Sequence, residues 1–516
     1  MANKNLFRSL AGKLVPKATA VNEAGGKAYA LTPKQALAQY AATGCLSHTF
    51  YATAEEQLAT VLDLCRDLDA QFIARTALWA RERGHMKDMP AMLCAVLATK
   101  DTALLESVFP RVIDNGRMLR NFVQIVRSGV VGRKSLGTAP RRMIRRWLEA
   151  RGDEALFRDS VGQSPSLADV IRMVHPKPAA AGREALYGYL IGRKHEAEKL
   201  PQLVRDYEAF KSGATREVPD VPFQMLTALE LNADAWRAIA GNAPWQMTRM
   251  NLNTFARHGV FESEEMTNRI AARLADPAAV RKSKVFPYQL MTAYVAADES
   301  VPRPVRDALQ DAMEVATENV PAMEGTVYVC PDVSGSMRSP ATGVRKGATS
   351  VVRCVDVAAL VAASIVRRNP RAVVMPFETD VVKVDLNARD SVMTNAQKLA
   401  AVGGGGTTCS APLLKLNKAK AAGDLVIFVS DNESWADPQR GRGTAMMEEW
   451  TAFKQRNPNA RLVCIDIQPY GTTQAQSRED VLNVGGFSDA VFDVVAQFAA
   501  GKLDADLWVT TIENVA

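Results

Sequence analysis

The sequence predicts an α + α/β fold: a long N-terminal array of helical pairs, then a C-terminal doubly wound parallel α/β domain. Three observations predict it. Apolar residues recur at helical spacing from Thr32 to about residue 317, with no strand-rich block between. From about residue 326, short apolar runs alternate with helical patterns. Between the two, Asn319-Val-Pro321-Ala-Met-Glu-Gly325 breaks the helical period.

At 516 residues the chain exceeds a single ordinary domain. Its 47% hydrophobic and 23% charged residues suit a core-forming protein. No apolar run approaches the roughly 18 residues of a membrane span, so no membrane partner is expected. The first residues lack the apolar region of a secretory signal. The seven cysteines (Cys45, Cys65, Cys94, Cys330, Cys354, Cys409, Cys464) are scattered and form no C-x-x-C pair. This argues against zinc and disulfide frameworks and for a reducing cytoplasm.

Residues 1–30, polar and rich in Gly and Ala, read as a flexible arm. Residues 31–320 form the expected helical domain. Thr32-Pro33 sets a helix start, and Leu58, Leu62, Cys65 and Leu68 follow at helical spacing. Helices are then expected over 72–83, 90–98, 102–108 and 112–127. Short helices with short links suggest HEAT-like units, although no sequence repeat is evident. Residues 325–516 form the expected α/β domain. Its strands are predicted at 326–331, 371–377, 380–386, 424–430 and 461–467. Its helices are predicted at 351–368, 391–400, 410–421, 444–456 and 488–500. Residues 502–516 are expected to return to the helical part.

The first of those strands ends in Asp332, Ser334 and Ser336. A carboxylate and two hydroxyls on alternate residues of a turn offer oxygen ligands only, which suits a hard cation such as Mg2+. In an open α/β sheet, ligands bind beyond the C-terminal ends of strands. Downstream, Gly403-Gly-Gly-Gly-Thr407-Thr408 is a glycine loop ending in hydroxyls, and the strand over 424–430 ends in Ser430-Asp431. This order resembles a von Willebrand factor A domain with a metal-ion-dependent adhesion site. The resemblance assigns Asp332, Ser334, Ser336, Thr407 and Asp431 to a divalent cation, Mg2+, with Thr408 as an alternative to Thr407. The glycine run is expected to leave Thr407 loosely held.

The net charge of +7 is unevenly spread. Residues 111–211 hold 20 Lys/Arg and 11 Asp/Glu, a net of +9, leaving −2 for the rest. Such a concentration points to a polyanion, most often nucleic acid. Its densest part runs from Arg133 and Lys134 into a helix starting near Pro140. Arg141, Arg142, Arg145 and Arg146 fall on one side of that helix, and Met143, Ile144, Trp147 and Leu148 on the other. Planar guanidinium groups suit phosphate. Further on, a helix carrying Arg172 ends at His175-Pro-Lys177-Pro, placing His175 and Lys177 at its exit. Few aromatics accompany the ridge, so backbone-directed RNA binding is expected rather than base stacking.

The arginine-rich helix, the His-Pro-Lys-Pro exit and the metal-site domain together resemble the Ro autoantigen family in its bacterial form, with its TROVE module. Met225-Leu226 and Trp245-Gln-Met-Thr248-Arg249-Met-Asn251-Leu-Asn253 resemble that family's Leu-Arg-Asn-Leu element, with Met and Asn replacing two of its residues. The resemblance implies that the helical repeats close into a ring. It also implies binding of small structured Y-like RNA on a basic outer surface and of single-stranded ends of misfolded RNA in the hole; beyond the metal site no paired carboxylates with a His or Lys base stand out, so catalysis is not expected. It further implies RNA quality control, decay and stress response alongside an exoribonuclease, and a monomer. Two other functions fit the residues: a metal-dependent protein-interaction scaffold without RNA, and a Mg2+-dependent RNA hydrolase.

Overall fold

A computed structural model of the protein describes residues 15–43, 52–283, 285, 287–320, 322–341, 352–438, 441–468, 470–486, 489–501 and 507–516. The chain forms two compact units. One comprises Leu68–Leu274 with Ala297–Val305 and Ala516; the other comprises Met1–Asp67, Ala275–Ala296 and Arg306–Val515.

The first unit is helical throughout its described residues. Helix Asp88–Lys100 is its hub: every residue from Met89 to Ala98 is buried, and helices Ala70–Glu82, Thr102–Val112 and Gly116–Arg127 pack around it. A helix apolar on all sides belongs at a centre, whereas its neighbours are amphipathic. Their starts are set by side-chain caps. Asp101 accepts from the backbone N–H of Ala103 and Leu104, Asn115 from Met118, and Ser166 forms a reciprocal capping box with Asp169. Each such cap stabilises its helix by about 1 kcal/mol.

The second unit is built on a five-stranded parallel sheet. The strands in chain order are β1 (Ala20–Val21), β2 (Lys27–Ala30), β3 (Val327–Pro331), β4 (Val373–Val374), β5 (Leu425–Ser430), β6 (Arg461–Asp466), β7 (Thr472–Thr473) and β8 (Val481–Gly485). The parallel sheet has the order β4-β3-β5-β6-β8. Its central strands read Val-Tyr-Val-Cys-Pro and Leu-Val-Ile-Phe-Val-Ser, buried at every position. That pattern is the mark of strands covered on both faces. From β3 the chain steps to one side for β4 and then to the other for β5. The crevice where the order reverses therefore lies at the C-terminal ends of β3 and β5.

The α/β helices lie over Cys354–Arg368, Val392–Ala400, Ala411–Lys418, Ala445–Arg456 and Asp489–Ala499, within a few residues of expectation. The strands depart more. Residues 380–386 form no strand; Val381 makes only an isolated bridge to Phe377. The edge strand β4 keeps two residues, and Pro376 behind it cannot donate to a ladder. Strands β7 and β8 were not expected.

The expected arm is a larger correction. Among its described residues, β1 and β2 form a hairpin, and β2 pairs antiparallel with β7. Tyr29 on β2 is 1% exposed and donates its hydroxyl to the Pro16 carbonyl. Helix Pro33–Thr43 follows and packs on β8. Helix Leu507–Glu513 packs on that same N-terminal helix, with Lys34 and Glu513 paired at 2.5 Å. Helices Pro277–Ser283 and Pro287–Ala296 also belong to the sheet-containing unit, so the compact units do not divide at residues 320–325. All six described cysteines are buried and free; Cys45 lies outside the described residues.

Candidate functional site: a strand-end carboxylate cluster and a basic helical ridge

The first site forms where β3 and β5 end side by side. Pro331 pairs with Val429, and the Asp332 N–H donates to the Val429 carbonyl at 2.9 Å. The ladder thus carries both chains out of the sheet together, so Asp332 and Asp431 emerge at the same end. Asp332 is fully buried. Its Oδ1 accepts from the Ser334 N–H at 2.8 Å and its Oδ2 from the Ser430 hydroxyl at 2.5 Å. Ser334 and Ser336, both buried, bring their hydroxyls to 3.3 Å. Asp431, 2% exposed, accepts from the Glu433 N–H through Oδ1 at 3.2 Å. Its Oδ2 has no hydrogen-bond partner.

The glycine loop is held more firmly than expected. Gly335 N–H donates to Gly405 O at 2.9 Å and Gly404 N–H to Val333 O at 2.8 Å. The Gly405 N–H donates to the Glu378 carboxylate at 2.6 Å. Gly403 has φ +79°, and a Cβ there would meet the Val333 carbonyl at 2.3 Å. Glycine is needed at this position because the loop passes against the Asp332 turn in the left-handed region. Thr407 is 1% exposed, and its carbonyl accepts from Trp435, Ala436 and the Ser434 hydroxyl. Thr408 is also buried, and its N–H donates to Glu378 O.

Carboxyl groups accumulate here. Burial raises the Asp332 pKa, the Asp431 charge raises it further, and the bonds from Ser334 and Ser430 only partly oppose this. Burial also raises Asp431; the Ser336 hydroxyl offsets part of this without a well-aligned hydrogen bond. Two neighbours were missed by sequence reading. Burial, then the Asp431 charge, pushes the Glu433 carboxyl up to about 8. Asp466, at the end of β6, lies well above the usual carboxylate range because of burial and then the Glu433 and Asp431 charges. Gln39 donates to Asp466 Oδ2 at 2.7 Å, whereas Asp466 Oδ1 has no hydrogen-bond partner; the Glu433 carboxylate faces the backbone N–H groups of Glu23 and Ala24, which partly oppose its shift. The sequence signal for these two is weak, since each is one acidic residue after an apolar strand. No group of three or more His, Cys, Asp or Glu with metal-binding geometry occurs among the described residues. A cation at the Asp332–Asp431 pair would draw on two carboxylates, hydroxyls and water. Unpaired buried oxygens of this type are what a hard divalent cation takes up.

The second site lies in the helical unit. Helix Thr138–Ala150 buries Pro140, Met143, Ile144, Trp147 and Leu148, and exposes Arg141, Arg142, Arg145 and Arg146, as its pattern predicts. Arg145 Nε donates to the Val174 carbonyl at 2.5 Å. This bond ties the ridge to the last turn of helix Leu167–Val174, and so to His175 and Lys177. His175 ends that helix in the left-handed conformation, φ 48°, and is exposed, as are Arg172 and Lys177.

Several expected RNA contacts already have partners. Glu106 pairs with both Arg142 and Arg146. Arg172 pairs with Asp169 and donates to Ile191 O. Arg133 is half-buried and donates to the Ala98 carbonyl at 2.7 Å, closing the end of the hub helix. One of its donors is therefore already engaged within the helical unit. Lys134 and Arg141 are exposed and form no ion pair among the described residues. Sequence reading also missed Arg127, which with Arg172, Gln124 and Ser128 lines a cleft of about 590 Å3. In the expected Leu-Arg-Asn-Leu element, Trp245 donates to Leu274 O and Arg273 donates to the buried Thr248 hydroxyl at 3.1 Å, so these two residues pack into the helical unit.

The chain matches two known domain families. Residues 165–324 match the TROVE domain, and residues 327–499 match the Ro60 vWA domain. The TROVE match holds Arg172, His175 and Lys177, while the arginine ridge precedes it. The chain is 25% identical over 518 residues to RNA-binding protein RO60 of Deinococcus radiodurans, covering 93% of this chain and 95% of that protein. It is 21% identical over 336 residues to RNA-binding protein RO60 of Caenorhabditis elegans, covering 60% of this chain and 50% of that protein. The crystal structure of the Deinococcus radiodurans RO (RSR) protein superposes with a TM-score of 0.63 at 23% identity, covering 92% of this chain and all of that one. The chain thus carries, in order, a TROVE domain and a Ro60-type von Willebrand factor A domain, and over nearly its whole length it resembles RNA-binding protein RO60.

Proposed function

We propose that this protein binds RNA, as its curated relatives are named for doing, through the exposed basic face of the helical unit. The observation that carries the reading is the Arg145–Val174 hydrogen bond. It joins an exposed row of four arginines to the exposed His175 and Lys177, making one continuous surface from two sequence segments. Such a surface contacts phosphate through charge-assisted bonds with little sequence information, which suits a folded RNA. Small Y-like RNA, the single-stranded ends of misfolded RNA and action beside an exoribonuclease in a cytoplasmic decay pathway extend the same proposal. The family resemblance supports them. The test is binding of purified protein to a structured RNA across a salt series. Phosphate contact predicts a steep linear fall of log affinity with log salt, and a flat response would sink the proposal.

We also propose that Asp332, Ser334, Ser336, Thr407 and Asp431 hold a divalent cation, Mg2+ being the natural choice for an oxygen-only set. The unpaired Asp431 Oδ2 and the raised pKa values of both carboxylates support it. The proposed role is binding without catalysis. Cleavage of RNA by purified protein with Mg2+, lost in Asp332→Ala, would overturn that and favour a hydrolase.

A further inference from the structure

Away from the ridge, the helical unit holds a second cleft, of about 830 Å3, between helices Phe223–Leu226, Ala233–Asn242 and Leu252–Arg257. Its size is within the ~300–1,000 Å3 of ordinary small-ligand pockets. Trp236 and His258 line it as a parallel stack, ring centroids 4.0 Å apart and planes within 9°. Phe223 meets Trp236 edge-on at 5.8 Å. Trp236 is 4% exposed, whereas His258 is exposed and Phe223 half-exposed. The imidazole is therefore the outer ring of the stack, resting on an indole that the core holds in place.

A flat outermost ring on a rigid base is a platform for another flat ring. The polar groups around it are sparse and of both kinds. Arg257, exposed, makes only long bonds among the described residues, to Asn253 O and the Thr254 hydroxyl at 3.4 and 3.3 Å. Glu230, also exposed, lines the cleft as an acceptor. An aromatic face, a guanidinium with donors to spare and a carboxylate suit one ligand class: a heteroaromatic base carrying amino or imino donors, attached to a phosphate.

We infer that this cleft receives one unstacked nucleobase of a single-stranded RNA. The base lies on the His258–Trp236 stack, its exocyclic donors reach Glu230, and the adjoining phosphate meets Arg257. The inference rests on the RNA-binding reading above and adds to it a place where bases, not only phosphates, are held. Single-stranded RNA is read in this way, by stacking on side-chain rings. Few aromatics accompany the arginine ridge, and the aromatic platform proposed here lies on other helices of the same unit.

The test uses the full chain, a single-stranded oligoribonucleotide carrying 2-aminopurine and a blunt RNA duplex. Binding should quench the 2-aminopurine fluorescence. His258→Ala should abolish the quench and weaken single-strand binding about five-fold or more, the effect of losing one stacked base. Duplex binding should be unchanged. His258→Phe, which keeps a ring, should retain the quench, and Arg257→Ala should weaken the single strand without restoring fluorescence. Equal quenching and affinity in wild type and a stably folded His258→Ala protein overturn the pocket alone, because duplex binding would still stand. Failure to bind either RNA at any salt overturns both readings.

Discussion

The strand-end cluster and the arginine ridge are opposite solutions to holding charge. At the cluster, Asp332 and Asp431 are buried, and local donors from Ser334, Ser430 and Glu433 fix their orientation. What remains is a small surplus of oxygens without donors. On the ridge, four guanidiniums are exposed, and internal acceptors already engage three of them. Burial gives order and an electrostatic deficit that one ion can meet. Exposure gives charge in quantity with order borrowed from neighbours. The cluster should therefore fail on a single substitution, whereas the ridge should fail only when several charges change.

Reversing the ridge should have the largest effect. Arg141, Arg142, Arg145 and Arg146 all changed to Glu should cut structured-RNA affinity on the order of 100-fold or more at low salt, given ~1.5–3 kcal/mol per charged hydrogen bond. The salt slope should flatten by about 3 if each arginine meets one phosphate. Arg141→Glu alone should cost far less. If the single change equals the quadruple one, the ridge is not a collective surface.

Asp332→Ala should remove the Mg2+ titration heat completely. It should also cost about 1–3 kcal/mol of stability, because buried donors at Ser334 and Ser430 lose their acceptor. RNA affinity should not move. Heats equal to wild type would place the ion elsewhere, and lost RNA binding would mean that the two sites are not independent.

Glu106→Gln should act in the opposite direction from the ridge reversal. It releases Arg142 and Arg146 from a shared carboxylate, so RNA affinity should rise a few-fold at low salt. A fall would mean that Glu106 positions these arginines instead of competing for them.

The smallest effect is a pH dependence at Asp466. Its folded pKa lies above the ordinary 3.8, so the folded state binds its proton more tightly than the unfolded state. Its stabilising effect is full below about pH 4 and declines as pH rises toward the raised folded value. Asp466→Asn cannot titrate. The variant should match wild type in acid and melt higher near neutral pH, with the gap opening as pH rises. A constant gap would show that burial at β6 does not control the proton.

The regions differ too in how far the sequence discloses them. The Asp332 and Asp431 motifs follow apolar strands whose fully buried pattern is local, so both strands and the ends they share were readable. The ridge was readable because Met143, Ile144, Trp147 and Leu148 define the opposite face of the helix. Glu106, Gln39 and Arg127 were not, because each reaches its site through tertiary packing that no local period encodes. Strand β2 escaped for the same reason. Lys27-Ala-Tyr-Ala is short and weak in strand propensity, and it is ordered by a partner more than four hundred residues away. Residues 380–386 show the converse: their alternation is strand-like, but the neighbouring edge strand β4 is only two residues long, and Val381 makes an isolated bridge to Phe377.

The pairing of β2 with β7 bears on how the chain is made. The helical unit is an insertion within the sequence of the other unit, whose first and last segments lie on either side of it. During synthesis at ~5–20 residues per second, Tyr29 waits roughly 20–90 s for its partner Thr473 to be translated. Over that interval the helical unit, rich in local contacts, can complete itself. The hairpin and helix Pro33–Thr43 wait with apolar side chains such as Tyr29 and Leu37 uncovered, where a chaperone would find them. The sheet-containing unit closes late, by recovering a segment made more than four hundred residues earlier.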